Sequence, residues 1–172
     1  MNYTFRLIHF FLILFIFGLI ASCNNSTKNN DKKTAKDFNL TSITEGNKFT
    51  LNDLNEKPLV LNFWASWCAP CREEMPFLEN SWKQYKNKDV NIVGINVMDD
   101  KTEALKTLNE FGISYLNLYD SQGRSSGDYG IIALPVTIFI DKEGNISQQQ
   151  YGPFLGKEGE NTFHSYIKEI LK

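Results

Sequence analysis

Residues 59–74, which read LVLNFWASWCAPCREE, place two cysteines three residues apart between a strand and a helix. The run Leu59–Trp64 is apolar and has the length of a buried strand. The following residues, 70–85, carry apolar side chains at helical spacing. The sequence therefore predicts a reactive site at the junction of this strand and this helix.

Cys68 and Cys71 have the spacing and the position of a reactive pair. In the first turn of a helix, positions i and i+3 lie on one face, about 5–6 Å apart, which a disulfide can bridge. Cys68 faces the unpaired N–H groups and the positive end of the helix dipole, which stabilise a thiolate. Arg72 is expected to add positive charge near the sulfurs, and Trp67 to cover them. Since the thiolate attacks disulfides, Cys68 is the predicted attacking thiol and Cys71 the resolving one.

Two other interpretations of the cysteine pair compete with redox chemistry. Half of a zinc site is one, but zinc takes four ligands, the sequence has no second CxxC, and its two histidines are His9 and His164. A purely structural disulfide is the other, but closing so short a loop would add little stability. The strand–CxxC–helix setting favours a redox-active pair.

The N-terminal residues have the pattern of an export signal. Arg6 supplies positive charge, and residues 7–20 form an apolar stretch that is short for a membrane span but typical of a signal peptide. Residues 20–23, IASC, resemble the lipobox of bacterial lipoproteins, in which the cysteine is lipidated. We expect a lipoprotein signal peptide over 1–22, lipidation of Cys23, and an extracytoplasmic, membrane-anchored protein on the periplasmic or cell-surface side. An uncleaved anchor helix is the alternative.

The residues that follow predict a tether and one folded domain. Residues 24–36 are rich in Asn, Lys, Ser and Thr without periodicity, so a flexible tether is expected over 23–36. The folded domain is expected over 37–172, a length that allows a substantial core. With 18 Lys and Arg against 20 Asp and Glu, the sequence offers no basic surface for nucleic acid.

Strand and helix patterns alternate along the predicted domain. A hairpin is predicted from 38–42 and 48–51, strands at 91–97, 115–119 and 136–140, helices at 102–111 and 159–172, an irregular or helical link at 121–129, and a final hairpin strand at 146–151. This order predicts an α/β fold with a mixed sheet. The cysteine motif would then lie beyond the carboxyl end of a central strand, where such sheets place their reaction sites.

Two motifs together resemble the thioredoxin fold: WCAPC at 67–71 and LPVT at 134–137. The helix and strand at 102–119 are similar, more narrowly, to the TlpA/ResA-type thiol–disulfide oxidoreductases, membrane-anchored extracytoplasmic relatives of thioredoxin. The resemblance covers residues 37–172. It implies a thioredoxin-like three-layer sandwich with a mixed central sheet and an N-terminal hairpin. It also implies thiol–disulfide exchange that needs no bound cofactor and no metal.

The resemblance gives roles to individual residues. Cys68 becomes the nucleophile, Cys71 the resolving thiol, and Pro135 a cis-proline that faces them and leaves the Leu134 backbone free to pair with a substrate strand. The sequence alone would favour a trans proline at a strand entrance, because cis X–Pro bonds are uncommon.

A proton acceptor for the resolving thiol is expected at Glu74. Thioredoxin carries a buried aspartate on the strand before the motif, whereas this chain has Asn62, which cannot titrate. A carboxylate is still useful to take the proton of Cys71 as it attacks a mixed disulfide. Glu74 lies three residues after Cys71 and is similar to a functional glutamate of the ResA-type proteins. A solvated helix glutamate is the alternative.

These features predict a membrane-anchored protein-disulfide reductase. The resemblance implies a protein disulfide substrate, such as an apocytochrome in cytochrome c maturation, and a membrane thiol protein as electron donor. Ala69 and Pro70 lack the histidine found between the cysteines of strongly oxidising relatives. A disulfide oxidase or isomerase is the alternative direction.

Two further functions remain open on the same fold. A thiol peroxidase would need a Pro-x-x-x-Thr-x-x-Cys pattern, which the residues before Cys68 do not supply. A copper chaperone, or another non-enzymatic thiol- or metal-binding lipoprotein, would want extra His or Met beside the thiols.

Overall fold

The computed structural model describes residues 33–172, whose strands form one seven-stranded mixed sheet. The strands are β1 (Asn39–Ser42), β2 (Lys48–Thr50), β3 (Leu59–Trp64), β4 (Asn91–Val97), β5 (Asn117–Asp120), β6 (Val136–Ile140) and β7 (Ile146–Tyr151). The helices are α1 (Leu51–Leu54), α2 (Ala69–Tyr85), α3 (Lys101–Glu110), α4 (Arg124–Asp128) and α5 (Gly156–Ile170). The signal peptide, Cys23 and the start of the tether lie outside the described residues.

The strand that precedes the cysteines, β3, is an interior strand of the sheet. The strand order is β2-β1-β5-β4-β3-β6-β7, with β3 parallel to β4 on one side and antiparallel to β6 on the other. The hairpin of β1 and β2 joins the sheet through β5, with which β1 is antiparallel. The predicted mixed sheet with an N-terminal hairpin is confirmed.

Alternation along β3 produces the two apolar layers. Leu59, Leu61 and Phe63 pack on one face with the side chains of α1 and with Tyr129, which follows α4. Val60 packs on the opposite face, where side chains of α2 and α5 cover the sheet. All six residues of β3 are buried, because both faces are covered. The helices on each face of the sheet confirm the three-layer arrangement.

Several predicted boundaries differ from the structure. The fifth strand is Asn117–Asp120, later than predicted, and the link at 121–129 contains α4, which begins after Gly123 in the left-handed conformation (φ 65°). The last helix runs from Gly156 to Ile170 instead of 159–172, and Leu171, which follows it, is exposed.

The folded region begins before the predicted boundary at residue 37. The Lys33 carbonyl accepts a hydrogen bond from the Ile146 N–H, Thr34 bridges Asn145, and the Ala35 N–H donates to the Gly144 carbonyl. The end of the predicted tether therefore pairs with the turn between β6 and β7. Within residues 33–172, no helix is long and apolar enough to cross a membrane.

Candidate active site

The loop between β3 and the cysteines is held by Asp99, which follows β4. The Asp99 carboxylate accepts hydrogen bonds from the Ser66 backbone N–H (2.6 Å) and hydroxyl (2.7 Å). It also accepts one from the Asn96 amide nitrogen (2.8 Å). The loop therefore enters α2 from a fixed position.

Cys68 is the N-cap residue of α2 and forms a disulfide with Cys71. The two Cα atoms are 5.3 Å apart, and Cys68 Sγ accepts a hydrogen bond from the Cys71 backbone N–H at 3.3 Å. Cys68 is 5% exposed and Cys71 1% exposed. After reduction, the same N–H groups at the helix start can stabilise a Cys68 thiolate. Cys68 is the more exposed residue of the pair, as an attacking thiol requires.

Arg72 does not act as the free positive charge that the sequence suggested. Its guanidinium pairs with the Glu110 carboxylate at 3.0 and 3.1 Å and lies 5.2 Å from the centre of the Phe111 ring. Glu110 is the last residue of α3, and Phe111 follows it. Arg72 therefore joins α2 to α3. Stabilisation of a Cys68 thiolate then comes from the N-terminus of α2.

An apolar cavity of about 310 Å³ opens beside the disulfide. It is lined by Trp67, Val97, Met98, Ser126, Ile131, Ile132, Ala133 and Leu134. Trp67 is 62% exposed, Met98 59% and Ile132 95%, so these side chains face water at the rim. We call Trp67, Met98, Ile132 and Leu134 the apolar rim. Trp67 therefore contributes to an open surface next to the thiols. Its Nε1–H donates a hydrogen bond to the Met98 carbonyl (3.4 Å), which holds the indole in place.

Pro135 follows this rim directly. The Leu134–Pro135 peptide bond is cis, and Pro135 is buried immediately before β6. Leu134 packs against the cluster that contains Cys68 and Cys71. The two sequence motifs are therefore brought to one end of the sheet.

Glu74 is fully buried one turn after Cys71 on the inner face of α2. One carboxylate oxygen accepts a hydrogen bond from the Asn62 amide nitrogen (2.9 Å), and the other accepts one from the Phe154 backbone N–H (3.0 Å). Burial raises the pKa of Glu74 from 4.5 to about 7, against the lowering effect of these two donors. The alternative of a solvated glutamate is wrong, and the carboxyl can exchange a proton near neutral pH.

Three features of the site are absent from the sequence predictions. Asp99 has no predicted role, although it holds the loop before the cysteines, and the next residue, Asp100, is the N-cap of α3. Thr137 was part of a motif but had no role, although it accepts a hydrogen bond from Asn62 (3.0 Å). The exposure of Ile132 is the third feature, and it is set by the path of the loop before Pro135, which the sequence does not reveal.

Within residues 33–172 no group of three or more His, Cys, Asp or Glu side chains could hold a metal ion.

The sequence matches the model of a known protein family over most of its length. The family model described as Redoxin matches residues 28–166. The chain belongs to the Redoxin family. A thiol-disulfide oxidoreductase ResA of Bacillus anthracis is 32% identical over 138 residues, which are 80% of this chain and 77% of that protein. A ResA of Geobacillus kaustophilus is 36% identical over 132 residues, or 77% and 75% of the two chains.

Solved structures of similar proteins confirm the thioredoxin-like fold. A putative thiol:disulfide interchange protein DsbE of Chlorobium tepidum has a TM-score of 0.75 and 26% identity, covering 82% of this chain and 97% of its own. A putative protein disulfide isomerase of Bacteroides thetaiotaomicron has a TM-score of 0.73 and 29% identity, covering 81% and 89%. The chain is a thiol–disulfide oxidoreductase of this fold. The roles of Cys68, Cys71, Glu74 and Pro135 stay predictions.

Proposed function

We propose that this Redoxin-family protein reduces protein disulfides by exchange through Cys68 and Cys71. The observation that carries the proposal is the cysteine pair at the start of α2, with the buried Glu74 carboxyl one turn further. The pair supplies two electrons, and the carboxyl supplies a place for the proton that the second step releases.

The reaction proceeds in two exchanges. The Cys68 thiolate attacks one sulfur of the substrate disulfide, forming a mixed disulfide, and the other substrate sulfur leaves as a thiolate. Cys71 then gives its proton to the Glu74 carboxylate and attacks Cys68 Sγ, which releases the second substrate sulfur. The products are a reduced substrate and the Cys68–Cys71 disulfide, and a thiol electron donor must reduce the latter again.

The charges around the sulfurs support the reducing direction. A pair whose thiolate is strongly stabilised is a strong oxidant, because its reduced form is favoured. Here Arg72 is paired with Glu110, and residues 69–70 carry no charge. Ionised Glu74, one turn from Cys71, disfavours a second negative charge nearby. The disulfide form is therefore stabilised relative to the dithiol, which is the property of a reductant.

The reduction potential of the Cys68–Cys71 pair tests this direction. Equilibration against a glutathione or dithiothreitol series is expected to give about −250 mV or lower, in the range of thioredoxin. A value near about −120 mV would place the pair with strong oxidants and contradict a reductase. A Cys71→Ser variant, which cannot form this disulfide, provides the baseline for the measurement.

The apolar rim is the proposed contact surface for a protein substrate. A polypeptide that presents its disulfide to Cys68 would also cover Trp67 and Ile132, whose apolar side chains otherwise face water. An apolar side chain next to the substrate cysteine would fit the cavity of about 310 Å³. The substrate class that the family resemblance implies, an apocytochrome or another exported thiol protein, is included in the proposal.

Ile132→Glu should lower kcat/KM for a protein disulfide such as insulin by about tenfold, because a charge replaces apolar contact at the rim. Turnover of a small disulfide should change by less than about twofold, since it does not cover the rim. Leu171→Glu is the matched control, because Leu171 is also an exposed apolar residue but does not line the cavity. Equal losses with both disulfides would contradict substrate contact.

We also propose that residues 1–22 direct export and that Cys23 carries a lipid that holds the domain outside the cytoplasm. The lipobox-like IASC and the preceding apolar stretch support this. A membrane thiol protein would then be the electron donor. Mass spectrometry of the protein from membranes should find a modified Cys23 at the N-terminus, and any other N-terminus would contradict lipidation.

A further inference from the structure

The Glu74 carboxylate is connected to two strands of the sheet through one amide. Asn62 on β3 and Thr137 on β6 are directly paired in the antiparallel register. The Asn62 amide nitrogen donates to Glu74 Oε1 at 2.9 Å and to Thr137 Oγ1 at 3.0 Å. Glu74 and Thr137 are 0% exposed and Asn62 is 1% exposed. Both N–H groups of the amide therefore have acceptors inside a buried part of the core.

The Thr137 hydroxyl decides which way this amide faces. An asparagine side chain has two N–H donors on one end and an acceptor oxygen on the other. With the hydroxyl present, both N–H groups have acceptors. Without it, one N–H would be buried and unsatisfied, which is costly. Rotation of the amide about its last bond would move both N–H groups away from this position but would place the amide oxygen against the carboxylate.

We propose that Thr137 is a positioning residue for thiol–disulfide exchange: its hydroxyl keeps the Asn62 amide nitrogen on Glu74 and so sets the pH at which Glu74 takes up a proton. The connection to thiol–disulfide exchange rests on the proposed role of Glu74. Thr137 acts only through Asn62, so it is not itself a catalytic residue. It lies two residues after Pro135, on the strand that continues from the apolar rim.

Among the groups that face Glu74, the Asn62 amide is the donor whose orientation can change. The Phe154 backbone N–H, held in the chain between β7 and α5, cannot turn away as a side-chain amide can. Tyr115, before β5, interacts electrostatically with Glu74, but burial and the carboxylates of Glu74 and Glu79 raise the pKa of its phenol, so it stays neutral. From α2 itself, Cys71 faces the same interior, one turn earlier. Asn62 and Thr137 do not titrate.

A direct titration of the Glu74 carboxyl tests the inference in the oxidised full-length protein. The side-chain carboxyl signals of glutamate are followed by carbon-13 NMR against pH, and Glu74 is assigned by the signal that Glu74→Gln removes. Thr137→Val, which has the shape of threonine without the hydroxyl, should raise the midpoint by about half to one pH unit, because a donor to the ionised form is loosened. Thr137→Ser keeps the hydroxyl, so its midpoint should stay within about 0.2 pH unit of the wild type.

The possible outcomes separate this inference from the proposed function. An unchanged midpoint in Thr137→Val, or an equal rise in Thr137→Ser, would overturn the positioning role. Asn62→Leu removes the same donor directly and should raise the midpoint at least as far, which keeps the test decisive if Thr137→Val does not fold. The pH profile of disulfide turnover should move with the midpoint. If the carboxyl titration moves and the profile does not, the positioning role stands and the catalytic role of Glu74 fails.

Discussion

Replacing Cys71 with serine is expected to stop turnover and to leave the protein covalently attached to its substrate through Cys68. The first exchange needs only the Cys68 thiolate, which the N-terminus of α2 still supports. The second exchange needs the Cys71 sulfur, and serine cannot supply it. Turnover of a protein disulfide should fall by at least about 1000-fold, as for other variants that lack a reacting group.

Peptide mass spectrometry after acid quenching measures this trapped species. The expected product is a mixed disulfide whose peptide contains Cys68, which also separates it from any adduct at Cys23. Cys68→Ser is the matched control, because it should lose turnover to the same extent without forming the adduct at this site. An adduct on Cys71 in the Cys68→Ser protein, equal in amount, would show that the two roles are not distinct.

The sequence was sufficient for those parts of the site that are local. Cys68, Cys71 and Glu74 lie within seven residues at intervals of three, so helical spacing alone places them on one face of the helix, in successive turns. Pro135 was placed at the site only through the family resemblance, because no local signal distinguishes a cis-proline. Arg72 was interpreted wrongly, since its charge is paired with Glu110, a residue of another helix. Long-range pairs of this kind depend on how the helices pack.

Tertiary contacts also explain why the sequence did not predict the roles of Asp99 and Thr137. Asp99 holds the Ser66 N–H from 33 positions away, and Thr137 contacts Asn62 only because β3 and β6 are paired in this register. Alternation and apolar runs were enough to predict the central strands. They gave no indication that residues 33–35 pair with the turn at Gly144, because that segment lacks periodicity.

Glu74 should make the folded state less stable as the pH rises, and Glu74→Gln should remove this dependence. The pKa of Glu74 is about 7 in the folded state, against an ordinary value of 4.5. The folded state therefore binds this proton more tightly than the unfolded chain does. The contribution to stability is fully present below about pH 4.5 and is lost as the pH rises through about 7. A difference of about 2.5 pH units corresponds to about 3 kcal/mol of unfolding free energy.

Urea unfolding of the oxidised proteins between pH 4.5 and 8 measures this effect. The unfolding free energy of Glu74→Gln relative to the wild type should increase by about 3 kcal/mol across this interval, because glutamine has no charge to bury. Glu73→Gln is the matched control, since Glu73 is the exposed neighbour of Glu74 and should give a nearly constant difference. A constant difference for Glu74→Gln as well would mean that the buried carboxyl titrates at an ordinary pH.

The same variant separates a buried structural carboxyl from one that moves a proton. If Glu74 accepts the proton of Cys71, Glu74→Gln should slow the resolution of the mixed disulfide by about 100-fold near pH 7, within the usual contribution of a general base. The loss should shrink at high pH, where hydroxide can deprotonate Cys71 directly. Stopped-flow measurement of resolution, separate from formation of the mixed disulfide, provides the rate. The stability of Glu74→Gln relative to the wild type should increase towards pH 8 while its rate of resolution stays below that of the wild type, so destabilisation alone could not reproduce both results.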